Sequence, residues 1–146
     1  MQEYKDQYLF GLIDGLNGAV GLVIGLLSSS VAAPIIAVAL LSRAGSSSVS
    51  MAGAELESDE CDKGLLYKRT AAMGLGYLTS ALLPGLGFLI DLHFGIPFFT
   101  LTTILLLVII ANFRAKQVGW FRSIRTTLVI FVLAVGAGLL ATFIVH

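Results

Sequence analysis

Asp14, Met51 and Glu55 are the side chains of this sequence best suited to handling an ion. Asp14 stands in the glycine-rich apolar run Leu9 to Leu27, and a carboxylate at membrane depth is costly unless a partner, an ion or a proton accompanies it. Its face continues as Gly18, Gly21 and Gly25, at steps of four, three and four, so one side of this helix is nearly bare backbone that lets another helix approach closely. A bland reading is also open, in which Asp14 caps free amides near a helix start. A second stripe, Arg43, Ser47, Ser50, Ala54 and Glu57, with Ser48, Met51 and Glu55 beside it, recurs at helical spacing. Polar stripes on buried spans face other helices or water. Each serine taken singly reads as bonding back to its own helix backbone, with small residues permitting close packing.

These residues need elements to hold them, and composition says which kind. Of 146 residues, 57% are hydrophobic and 12% charged, with a mean hydropathy of +0.93, so the chain is read as a membrane protein rather than an ordinary soluble domain. One cysteine, Cys61, excludes an intrachain disulfide, and a formal net charge of zero gives no sign of a nucleic-acid partner. The mixed charges of Met1 to Tyr8 without a following small-residue cleavage site do not fit a removable signal peptide. His93 beside Asp91 is a conceivable accessory metal site, with a solvated loop as the plainer reading. No nucleophile and base form a constellation, so no catalytic residue and no enzyme is expected.

About 20 apolar residues cross a bilayer core. The expected fold is an all-α integral membrane protein with five transmembrane helices near 9–30, 33–58, 68–90, 96–113 and 124–145, forming one domain over residues 1–146. Hydropathy by itself would omit the second helix. Charge placement restores it: with a cytoplasmic N-terminus and five crossings, eight of the nine basic residues fall inside, Arg43 excepted, as the positive-inside rule requires. Pro97 is expected in an initial helical turn and Pro84 is expected to bend the third helix.

Five helices scarcely enclose a polar route, so a homodimer with the glycine face at its interface is expected. A twofold axis there doubles Asp14 and brings two copies of Met51 near it. Paired carboxylates suit a divalent cation, and thioether sulfur favours a transition metal; methionine is also common packing filler. Glu57, Asp59, Glu60 and Asp62 follow the second span and read either as a cytoplasmic entry vestibule for metal or as a solvated turn. Arg43, about 12 Å of helix rise from Met51, is either a gate or counter-ion to Asp14 or Glu55, or a residue off the pathway near the outer face.

The run Gly11, Leu12, Ile13, Asp14, Gly15, Leu16 resembles the Asp-Gly-Leu signature of the vacuolar iron transporter family. Ser50 to Ser58 is similar to that family's second-helix Ser-Met-Ala pattern, Ala81 to Pro84 to its third-helix proline segment, and Arg122 to Arg125 with Ala141 to Phe143 to its fifth helix. The resemblance implies a multi-pass homodimer in a plasma or vacuole-type membrane that moves ferrous iron or manganese out of the cytosol in exchange for protons, without a bound cofactor. It implies that Asp14 and Met51 line the pathway and that Glu55 lies nearer the cytoplasm. Ile13, Ala54 and Arg43 depart from the family pattern, and its long glutamate-rich insertion between helices two and three is reduced here to Ser58 to Arg69. The competing expectation is a structural or regulatory membrane protein that dimerises through the glycine helix without transport.

Overall fold

The computed structural model describes residues 3–57 and 63–145. Those residues form five long helices: α1 (Glu3–Ser28), α2 (Ala33–Leu56), α3 (Lys63–Gly85), α4 (Leu92–Val118) and α5 (Trp120–Val145), with a 3₁₀ segment, Leu86–Leu89, between α3 and α4. Among the described residues four stretches are long and apolar enough to cross a membrane, namely Tyr4–Ser28, Ala33–Ala54, Gly64–Leu89 and Leu92–Lys116. The chain is a multi-pass helical membrane protein by that measure. The second helix qualifies on hydropathy, against the expectation that hydropathy would omit it: the apolar residues Pro34 to Leu41 carry the average across the serines that follow.

Neighbouring helices alternate in direction. Along α1 and α3, Gly11 meets Met73 and Tyr77 while Gly15 meets Tyr77 and Ser80, so the two run parallel. Ser48 meets Gly74 and Arg43 meets Tyr77 across α2 and α3, so these run antiparallel. One end of the bundle therefore gathers the starts of α1, α3 and α5 with the ends of α2 and α4. Lys5, Lys63, Lys68, Arg69, Arg114, Lys116, Arg122 and Arg125 all sit on the helix segments at that end, and the opposite connections hold no lysine or arginine.

Glycine makes the central contact possible. The Cβ that an L side chain would place on Gly11 falls against Met73 O and 2.9 Å from Tyr77 N; on Gly15 it falls against Ser80 Oγ and 2.6 Å from Tyr77 O; on Gly76 it falls against Tyr8 O and 3.0 Å from Leu12 N. Backbones pack here without intervening side chains, the arrangement that gains most from dispersion when lipid supplies no hydrophobic drive. Ser80, fully buried, returns its hydroxyl to Gly76 O at 3.0 Å and Tyr77 O at 3.2 Å. Two other serines bridge helices instead: Ser48 Oγ donates to Gly74 O at 3.0 Å and Ser123 Oγ to Ala111 O at 2.8 Å. Such bonds contribute about 0.6 kcal/mol each in membrane proteins. Around this seam Leu9, Leu12 and Leu16 meet Leu106 and Ile110 of α4, and Val20 and Val23 share a core with Ile36, Leu40, Phe88 and Phe99.

Helix ends differ from the expected ones for local reasons. α1 begins at least six residues before Leu9, since polar Glu3 to Tyr8 continue its hydrogen bonding outside the apolar run. It closes at Ser28 with Val31 N bonded to Leu26 O at 3.3 Å and Ser30 N to Leu27 O at 3.1 Å, a Schellman ending in which Ser30 takes φ 55°. Pro84 stands one residue before the end of α3, where the helix tightens into the 3₁₀ segment. Pro97 is not in the initial turn, because Asp91 caps α4 six residues earlier, accepting from Phe94 N at 2.6 Å. That bond engages one oxygen of Asp91, and His93 beside it is exposed. α4 runs beyond Phe113 to Val118, and Gly119 alone separates it from α5, with φ 85° and ψ 148°.

Gly11→Ala is expected to destabilise the protein by about 1–3 kcal/mol, because backbone must move, whereas Gly25→Ala, with open space around it, leaves thermal unfolding in detergent unchanged. Gly119→Ala forces an L residue into a region that glycine alone occupies readily and is expected to cost about 1–3 kcal/mol in the same measurement.

Candidate ion site

Asp14 is the twelfth residue of the 26-residue α1, near the middle of a helix about 39 Å long. It therefore cannot cap α1, whose first turn lies more than two turns away. Its side chain is exposed, and among the described residues it makes no hydrogen bond or ion pair. The strip it occupies is framed on one side by Gly18, which meets α2, and on the other by Gly21, whose added Cβ would lie 3.8 Å from Ala134 O of α5. Phe10, 55% exposed, lies on the same strip one turn away.

Arg43 reaches this strip from α2. Its guanidinium lies over Gly18, with Cζ 2.8 Å and Nε 2.9 Å from where a Cβ would stand, and Nε donates to Tyr77 Oη at 3.4 Å. The cation is thus seated about one helical turn from Asp14, four residues or about 6 Å along α1, and held by the phenol of Tyr77 on α3. Tyr77 is 1% exposed, and its backbone also receives Gly11 and Gly15. Arg43 is the eleventh of the 24 residues of α2, midway along that helix.

Met51 is half-buried and packs on the cluster of Ala44, Tyr77 and Ala81. It lies about two turns from Arg43 toward the charged end, and no contact joins it to Asp14 within the subunit. Ser48, beside it, faces α3 rather than a polar route. The rest of the α2 stripe is turned outward: Arg43, Ser50, Ala54 and Glu57 are exposed, as are Ser42, Ser46 and Gly53, while Ser47 is half-buried. Ser46 Oγ bonds back to Arg43 O at 3.3 Å. Glu55 lies in the last turn of α2. Asp59, Glu60, Cys61 and Asp62, named above as possible metal-entry residues or a solvated turn, fall outside the described residues. Among the described residues no group of three His, Cys, Asp or Glu side chains converges as a metal site would need.

The three glycines assigned to dimer packing take different surroundings. Gly18 holds the Arg43 guanidinium, Gly21 loosely faces α5, and Gly25 has open space. Within one subunit the close helix contact is made by Gly11 and Gly15, a use of the glycine run that its periodicity does not distinguish from an intersubunit one. Sequence reasoning also passes over Tyr77 as the partner of Arg43, since a tyrosine in an apolar span gives no periodic signal. Asn17 belongs to the same class: it lines a small cavity with Arg114 and Thr127 between α1, α4 and α5.

Gly18→Ala is expected to cost less than Gly11→Ala in thermal unfolding, by about 1 kcal/mol or more, because the end of a flexible side chain yields where backbone cannot. The chain matches no protein-family model, no curated protein and no solved structure.

Proposed function

We propose that this protein is a homodimeric transporter of ferrous iron or manganese, with five spans per subunit and a cytoplasmic N-terminus, whose ion route follows the dimer interface. The observation that carries this reading is Asp14, an exposed carboxylate without a partner among the described residues at the middle of an apolar 26-residue helix. Lipid does not tolerate such a group, so a protein surface or water must cover it. The exposed polar side of α2 gives a second surface with the same need, and the two adjoin where Arg43 crosses to Gly18. A twofold axis at this strip covers both at once and sets two Asp14 carboxylates facing each other.

In this reading the metal enters from the charged end, near Glu55 and Glu57, and passes to the paired Asp14 carboxylates. Oxygen ligands suit a divalent cation, and Met51, were it to turn from its packing site, would add the softer sulfur that favours a transition metal. Protonation of Asp14 from the opposite side removes the negative charge that holds the ion and releases it, which couples metal movement outward to proton entry. Arg43 then acts as a counter-ion: seated on Gly18 with the site empty, it offsets the carboxylate charge one turn away. The fifth span is α5, whose 26 residues run beside α1 and α4, and the clustering of basic residues at one end fits the cytoplasmic side.

Uptake of iron(II) or manganese(II) into proteoliposomes is expected to fall to background in Asp14→Asn with thermal unfolding unchanged, and to stop when the pH gradient is collapsed. Full flux through Asp14→Asn would favour the alternative of a structural or regulatory protein that dimerises without transport.

A further inference from the structure

α4 and α5 diverge enough from their junction at Gly119 to leave an open groove of ≈ 430 Å³ between them. Val108, Ala111, Ile124 and Leu128 make its walls, Trp120 stands at its end nearest the junction, and Thr127 is its polar lining residue. From Ala111 to Ile104 the groove runs about 10 Å into the bundle, the length of a substantial part of an acyl chain. Two polar groups at this place lack partners among the described residues. Thr127 Oγ1 is buried, the residue 8% exposed, with no hydrogen bond. Arg114, half-buried, lines the adjoining cavity together with Leu107 and Thr127, both shared with the groove, and makes no ion pair or hydrogen bond.

The two helices that form the groove carry charge of one sign, while α1, which packs on both, begins at the same end with Glu3 and Asp6. From Leu92 to His146 the sequence holds Arg114, Lys116, Arg122 and Arg125 and no aspartate or glutamate. α2, which carries Glu57, packs on α3 and α1, whereas α5 packs on α1 and α4, so the acidic end of α2 lies across the bundle. Arg114 lies four residues from the end of α4 and Trp120 opens α5 across Gly119, and tryptophan near the end of a span settles at the headgroup level.

We propose that the α4–α5 groove is a binding site for one anionic phospholipid, with its phosphate on Arg114, its glycerol region beside Trp120 and an acyl chain along Val108, Ile124 and Leu128. Basic pockets between membrane helices on the side that bears the positive charge select such headgroups, and the flanking Lys116, Arg122 and Arg125 add attraction without contact. The site depends only on the chain being a membrane protein and stands or falls independently of transport.

Trp120 is the single tryptophan of the chain and reports on its own site. The protein is reconstituted in phosphatidylcholine vesicles containing, at equal mole fraction, either acyl-brominated phosphatidylglycerol or acyl-brominated phosphatidylcholine, and Trp120 fluorescence is read. Roughly fivefold stronger association of the brominated phosphatidylglycerol is expected, lost in Arg114→Gln, retained in large part in Arg122→Gln, and insensitive to added inorganic phosphate. Equal quenching by the two lipids, quenching by neither because a second copy covers Trp120, a preference that survives Arg114→Gln, or its abolition by inorganic phosphate would each overturn the proposal.

Discussion

The fold turns on the contact of α1 with α3, where two helix backbones meet through Gly11, Gly15 and Gly76. In water such a contact would add to a hydrophobic core; in lipid, where tails are as apolar as leucine, closeness itself supplies the attraction. Tyr77 sits at the middle of that seam and spends its two ends differently. Its backbone is the surface on which Gly11 and Gly15 rest, and its hydroxyl reaches beyond the seam to Arg43 of α2. The packing of α1 on α3 and the position of Arg43, midway along α2, thus meet at one residue. α2 inherits its register from this arrangement, with Ser48 bonded to Gly74 and Leu40 against Gly85.

The same arrangement explains why α1 and α2 present polar groups outward. Gly11 and Gly15 spend one side of α1 on α3, which leaves Asp14 on the strip between α2 and α5. Ser48 and Met51 spend one side of α2 on α3, which leaves Ser42, Ser46, Ser50 and Gly53 exposed. These surfaces are contiguous through the Arg43 guanidinium on Gly18. A subunit with this exterior is energetically incomplete in a bilayer, and the proposed dimer supplies the missing cover.

Five helices were readable from the sequence because apolar runs, turn residues and charge all repeat at the scale of a membrane span. Their ends were less readable, since a helix that leaves the bilayer continues with polar residues, as α1 does from Tyr8 back to Glu3, and hydropathy stops at the lipid edge. Asp14 stood out because it violates the local pattern. What periodicity did not carry was which neighbour each face of a helix meets: Gly11, Gly15, Gly18, Gly21 and Gly25 follow one another along α1, yet they face α3, Arg43, α5 and open space. Tyr77 was illegible for the same reason, because its importance lies in two partners distant in the chain. Gly119 had no sequence context to mark it, since a single residue between two long helices leaves no loop composition to notice.

That single-residue junction bears on how the protein reaches its membrane. α4 and α5 hold 27 and 26 residues and share no connecting loop, so neither can enter the bilayer and wait for the other. They form one helical hairpin about Gly119, with Arg114, Lys116, Arg122 and Arg125 clustered about the bend, so the placement of one helix fixes that of the other.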